Sequence, residues 1–167
     1  MLSRAHASDP FDRLAPMPGY QTAPVERAFD WRERLSMVRA GTWYVVAFRS
    51  QRRAGADEEL LLAHDELALG AAERLGGLLV YFRGDLDDAR RCLSVCVWDH
   101  RHRARMSSST LEHHRAAELT NEMYVSYRVE RHLLRRVPGD ADPRWIRLDR
   151  RASSEPAMSP ADIWGDA

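Results

Sequence analysis

The stretch Leu78–Asp99, LLVYFRGDLDDARRCLSVCVWD, decides the fold. Two runs rich in aliphatic, β-branched and aromatic residues, Leu78–Arg83 and Arg91–Asp99, flank a polar connection over Gly84–Arg90. That pattern predicts two antiparallel strands joined as a hairpin with a fairly long loop. Side chains alternate across a strand, so Leu93, Val95 and Val97 point one way and Cys92, Ser94, Cys96 and Trp98 the other. Just upstream, Gly76-Gly77 stops a helix over Asp57–Leu75, as a C-cap glycine does. In that helix Leu60, Leu61, His64, Leu67, Ala68, Ala71 and Leu75 recur at a helical period, and Glu58 and Glu59 suit the positive end of its dipole. Before it, Thr42–Ser50 (TWYVVAFRS) is a strand.

After the hairpin, a helical stretch within His102–Met123 breaks near Ser107–Ser109 and restarts with Ser109 or Thr110 as N-cap. Tyr124–Val137 (YVSYRVERHLLRRV) then closes the domain as a long strand. The order β-α-β-β-α-β is the split βαβ, or ferredoxin-like, arrangement: an α+β fold with one antiparallel sheet and two helices on one face. Residues 1–41 form an N-terminal extension, with four prolines in Met1–Pro24 and a short amphipathic helix within Val25–Val38. Met1–Pro24 reads as an arm lying on the surface or on a partner subunit. Residues 138–167 are a polar tail with Trp145, Ile146, Ile163 and Trp164 as isolated apolar anchors. The strands are apolar on both sides, with Val45 and Ala47 opposing Val46 and Phe48. A bare apolar sheet face is not tolerated on a monomer, so a homodimer through the open face is expected.

The chain has 167 residues, and its 25 cations, all Arg, balance 25 acids. A neutral chain argues against generic nucleic-acid and anionic-membrane binding, which need surplus cations. No apolar run approaches the roughly 20 residues of a membrane span, and Met1–Leu14 lacks the apolar stretch of a signal peptide; a cytoplasmic location is expected. Cys92 and Cys96, four apart on one strand, sit about 13 Å from each other, too far for a disulfide. Two cysteines are also too few for a Cys-based zinc site.

Without Lys there is no Schiff-base or lysine-base chemistry at side chains, and Arg holds anions but does not act as a base. Proton transfer therefore falls to His, carboxylates or Tyr. His64, on the helix's apolar stripe, is the candidate base; the alternative is a core histidine bonded to a backbone carbonyl or Tyr. Trp98, beside Ser94 and Cys96, is either a pocket wall or a packing residue. Tyr81 and Arg49 are candidate partners for a substrate oxyanion, and His113 a candidate at the pocket rim. His100, His102, His113 and His114 show no metal-ligand spacing.

The segment GGLLVYFRGDLDDARRCLSVCVWDHRHRARMSSSTLEHHRAAELTNEMYVSYRVERHLL resembles the antibiotic-biosynthesis-monooxygenase-like proteins. The matching pieces are the strand ending in Trp98, the Ser/Ala-rich stretch leading to His113-His114-Arg115-Ala116-Ala117, and the closing aromatic strand, over residues 42–137. The resemblance implies a dimeric α/β barrel with a pocket between sheet and helices in each subunit, and Trp98 carries over as pocket-lining. It implies a small-molecule enzyme of secondary, polyketide or aromatic, metabolism: a cofactor-independent monooxygenase on an apolar aromatic substrate. Alternatives on the same scaffold are a cyclase or isomerase, or a non-catalytic dimer binding heme or another planar ligand. Heme-degrading relatives carry an Asn on the first strand, which TWYVVAFRS lacks, and a longer Trp-to-His spacing; both departures count against heme degradation.

Overall fold

The computed structural model describes residues 9–148. Two single-turn helices, α1 (Val25–Ala28) and α2 (Trp31–Arg34), precede strand β1 (Gly41–Arg52) and the long helix α3 (Glu58–Leu75). The hairpin β2 (Leu78–Phe82) and β3 (Arg91–Trp98) follows, then α4 (Arg101–Ser108), α5 (Leu111–Glu118) and the single turn α6 (Thr120–Met123). The long strand β4 (Tyr124–Arg136) and a short β5 (Arg144–Arg147) complete the sheet. Strand order is β2-β3-β1-β4-β5, with every pair antiparallel. The first four strands have the ferredoxin-like order expected of the sequence.

Local chemistry fixes the element ends. Asp57 caps α3, its side chain accepting the Leu60 N–H at 2.9 Å, and Gly76 and Gly77 end it at φ 73° and 83°, backbone that favours glycine. Thr110 caps α5 by accepting from the His113 N–H, so the second expected helix is interrupted where the serine run suggested. Among the described residues no helix is long and apolar enough to cross a membrane.

One sheet face carries Tyr44, Val46, Cys96, Trp98 and Val129 and is packed by the helices, with Ala72 of α3 and Ala104 of α4 in its core. The other carries Val45, Ala47, Leu93, Val95, Val97 and Leu134, all fully buried. Their cover is the chain's own N-terminal segment: Phe11, Leu14, Tyr20, Val25, Ala28, Phe29, Trp31 and Leu35 form one core with them. Edge-to-face ring pairs link Phe11 to Trp31 and Trp43, and Phe29 to Trp31 and Phe82. Backbone polarity is satisfied too: the Trp31 indole N–H donates to Val25 O at 2.7 Å, and Asp30 accepts the Ala15 N–H at 2.8 Å.

Three expectations change here. The sheet face through which a homodimer was expected is not open, because residues 11–35 occupy it. The expected helix over 25–38 is two separate turns broken at Phe29 and Asp30, with Phe29 in an extended conformation paired to Pro16. The tail expected from 138 contributes β5, whose Trp145 packs on Trp31 with ring centroids 5.1 Å apart; Ile163 and Trp164 lie outside the described residues, as do residues 1–8.

Candidate functional site

Between the helix-side face of the sheet and helices α3 and α5 lies a cavity of about 410 Å³. Phe48 of β1, Trp98 of β3, Tyr124 and Tyr127 of β4, and Leu61, Ala68 and Leu69 of α3 give it apolar and aromatic walls. The tyrosine rings stack at a tilt, 5.1 Å apart. Largely apolar concavities with a few convergent polar groups are the usual form of small-molecule sites.

Of the two acids that α3 presents to this cavity, Glu58 and Asp65, the one that meets β2 is Asp65. Its Oδ1 accepts the Tyr81 hydroxyl at 2.7 Å and its Oδ2 the Arg83 Nε–H at 2.6 Å. Tyr81 and Arg83 alternate onto the same face of β2 and its extension, which is why both reach one carboxylate. The Arg83 guanidinium also lies 5.9 Å from the Tyr81 ring centroid. Burial, reinforced by the Asp65 charge, pushes the Tyr81 hydroxyl well above the usual phenol range. Burial likewise raises the Tyr127 hydroxyl and the Cys96 thiol. All three are therefore neutral donors at physiological pH.

At the far end Glu58 accepts from Arg52 and, at 2.7 Å, from Arg90. The loop after β2 forms the next wall: the Ser94 hydroxyl accepts the Gly84 N–H at 3.1 Å, and the Cys92 thiol donates to Gly84 O at 3.2 Å. Only glycine fits at 84, since a Cβ there would lie 2.2 Å from Leu93 O. From the opposite sheet face, Tyr20 of the N-terminal segment accepts the Asp85 N–H at 2.7 Å.

His113 enters from α5. Its Nδ1 is 2.9 Å from Thr110 Oγ1 and its Nε2 is 3.4 Å from Ser107 Oγ. Burial pulls its pKa down to about 4, so the imidazole is neutral at physiological pH.

The structure thus brings Trp98, Tyr81, Ser94, Cys96 and His113 together around one cavity. His64 and Arg49 do not join them. Leu60 and Leu67 are 36% and 55% exposed, whereas Leu61 and Ala68 are 8% and 7% exposed. The inward line of α3 is accordingly Leu61, Asp65, Ala68 and Ala72, and His64 is turned roughly 60° from its centre. His64 is half-buried with an Nδ1 that makes no hydrogen bond. Arg49 lies on the other sheet face, donating from Nε to Glu130 at 2.9 Å and to the carbonyls of Ala23 at 2.6 Å and Gln21 at 3.3 Å. It ties down the N-terminal segment. Asp65 escaped the sequence reading because hydrophobic periodicity assigns an acid to solvent; the signal was Tyr81 and Arg83, two polar side chains at i, i+2 awaiting an acceptor. Among the described residues no group of three or more His, Cys, Asp or Glu is placed to hold a metal ion.

No curated protein matches the sequence. Solved structures resembling the chain include a Shewanella oneidensis protein at 18% identity, over 56% of this chain and 92% of that one, TM-score 0.48. A Chloroflexus aurantiacus protein provisionally named an antibiotic biosynthesis monooxygenase is 20% identical over 59% and 96%, TM-score 0.43. SnoaB of Streptomyces nogalater, a cofactor-independent oxygenase studied as a mutant, is 11% identical over 55% and 89%, TM-score 0.44. A family model described as PB2B2.08-like matches residues 5–147, and the chain belongs to that family.

Proposed function

We propose that the helix-side cavity binds a small, largely apolar aromatic molecule and transfers a proton from it, with Asp65 as the acceptor. The observation that carries this reading is a carboxylate held by Tyr81 and Arg83 at the edge of a cavity with apolar and aromatic walls. A hydroxyl or activated C–H of the ligand placed there would give its proton to Asp65, directly or by way of the Tyr81 hydroxyl. The Arg83 guanidinium would hold the resulting anion, with attraction strengthened by apolar surroundings. His113, neutral and bonded to Thr110, serves as a wall and a hydrogen-bond partner.

The finer reading follows the family resemblance: the ligand carbanion reduces O₂ without a cofactor. A ring CH₂ would become C=O, with one oxygen atom entering the product and the other leaving as water, the substrate supplying all four electrons. Anthrone, a polycyclic phenol tautomer with an activated CH₂, is a suitable probe. Hydrogen–deuterium exchange of that CH₂ under nitrogen tests proton transfer alone, and O₂ uptake tests oxygenation. Exchange above the buffer rate that disappears in Asp65→Asn is expected; exchange that persists in Asp65→Asn contradicts the proposal. Exchange without O₂ uptake would leave an isomerase or cyclase, and would refute the oxygenase step.

A further inference from the structure

Strand β2 ends its pairing with β3 at Phe82, opposite Val95. Arg83, whose Nε–H reaches Asp65 at 2.6 Å, therefore stands just past the ladder. Backbone groups beyond a ladder need other partners, and here side chains supply them. Ser94 Oγ accepts the Gly84 N–H at 3.1 Å, and Cys92 Sγ donates to Gly84 O at 3.2 Å. Both come from β3. The next holder comes from outside the sheet: Tyr20 Oη accepts the Asp85 N–H at 2.7 Å and donates back to Asp85 O at 3.4 Å.

Tyr20 is itself firmly set. It is buried, and its ring meets Phe29 and Phe82 at centroid distances of 6.0 and 5.5 Å. It thus grips the chain on both sides of Arg83, by its ring at Phe82 and by its hydroxyl at Asp85. The gripped stretch is cavity wall, since Arg83, Gly84, Asp85 and Leu86 all line the helix-side cavity. Gln21, Thr22 and Glu26, which follow Tyr20, line a neighbouring cavity of about 660 Å³. That cavity shares Ser50, Cys92 and Tyr127 with the helix-side one. The N-terminal segment therefore covers one sheet face and also borders the site on the other.

We propose that Tyr20 is a positioning residue of the helix-side site, which sets the placement of Arg83 and Leu86 by gripping Phe82 and Asp85. It touches no ligand and acts through the wall. This role rests on the reading of the helix-side cavity as a ligand site, and it makes the N-terminal segment part of that site's support. A site holds its geometry only as well as the residues behind it hold theirs. Removing the Tyr20 hydroxyl frees the wall while the ring still fills the core.

The test compares the full wild-type chain with Tyr20→Phe, which keeps both ring contacts, and with Phe11→Leu. Phe11 belongs to the same core but packs on Trp31 and Trp43, so its variant controls for a merely structural loss. Without ligand, Tyr20→Phe should speed amide hydrogen exchange at Asp85 at least tenfold and shift the Arg83 Nε–H signal, and Phe11→Leu should do neither. With 1-naphthol, followed by its fluorescence, Tyr20→Phe should weaken binding at least fivefold, and Phe11→Leu should leave it within a factor of two. Asp85 exchange and an Arg83 signal that stay unchanged in Tyr20→Phe, or equal losses of affinity in both variants, would overturn the proposal. A wild type that binds no 1-naphthol would instead refute the ligand reading of the cavity, and the ligand-free comparison would still decide whether Tyr20 sets the wall.

Discussion

Asp65 of α3 and Tyr81 of β2 share a 2.7 Å hydrogen bond that joins helix to sheet at the edge of the helix-side cavity. The same carboxylate holds Arg83, so a single residue fixes both polar groups that β2 and its extension offer a ligand. Removing its charge should be visible without any substrate. Burial comes first and Asp65 second among the causes that raise the Tyr81 hydroxyl; Asp65→Asn should therefore lower its ionisation toward, but not to, the ordinary value near 10. Ultraviolet-monitored alkaline titration, with Tyr81→Phe identifying the signal, checks this. An unchanged Tyr81 titration in Asp65→Asn would show that the carboxylate does not control it.

His113 gives a pH dependence of folding. Its folded pKa of about 4 lies below the ordinary 6.5, because burial disfavours the imidazolium. The unfolded chain then binds more protons between those values, so this contribution is fully present above pH 6.5 and is lost as pH falls toward 4. The size is about 3 kcal/mol. Urea denaturation across that window should show stability declining with acidification, and His113→Gln should flatten the decline.

Arg49 acts as a structural clamp, not a substrate anchor. Arg49→Ala leaves Glu130 buried with one cation fewer and frees the Gln21 and Ala23 carbonyls, at a cost of about 3 kcal/mol. Arg49→Lys should recover little, since one ammonium cannot reproduce the three-way geometry. Glu130 itself, depressed to about 2 from 4.5, contributes stability above pH 4.5 that is lost as pH falls through about 2. That acid-limb loss should be smaller in Arg49→Ala.

Trp31 tests the self-covered sheet. It is 1% exposed, packed on Phe11, Phe29 and Trp145. Trp31→Ala should cost about 3–5 kcal/mol and loosen the segment over Val45, Ala47 and Leu93. The full chain should show no association through this face in sedimentation velocity, and Trp31→Ala should gain concentration-dependent association. A wild-type dimer that persists when the face is altered would place its interface elsewhere.

How far the fold was legible follows from where side-chain patterns are unambiguous. β1 to β4 and α3 were readable because strand alternation and the Gly76-Gly77 stop are local signals. β5 was not: RWIR has two arginines in four residues, and it becomes a strand only by pairing with the β4 edge. The apolar second face was read correctly as needing a cover. The sequence could not say that Phe11, Phe29 and Trp31, dispersed among prolines and charges, pack on it. In the site, Trp98, Ser94 and Cys96 followed from strand parity, which is rigid. Helix rotation is softer: α3 has leucines on two sides, and both rotations bury aliphatic surface. What decides between them is the partner that Tyr81 and Arg83 offer Asp65, a tertiary relation that periodicity does not carry. The same rotation removes His64 from the cavity wall.

The most direct measurement is the binding of 1-naphthol, a small aromatic hydroxyl probe, followed by its own fluorescence in wild type, Asp65→Asn and His64→Ala, each checked for native folding by circular dichroism. The wild type should bind saturably, Asp65→Asn should weaken binding at least tenfold, and His64→Ala should leave it within a factor of two. Binding that survives Asp65→Asn but fails in His64→Ala would contradict the placement of the functional site beside Asp65.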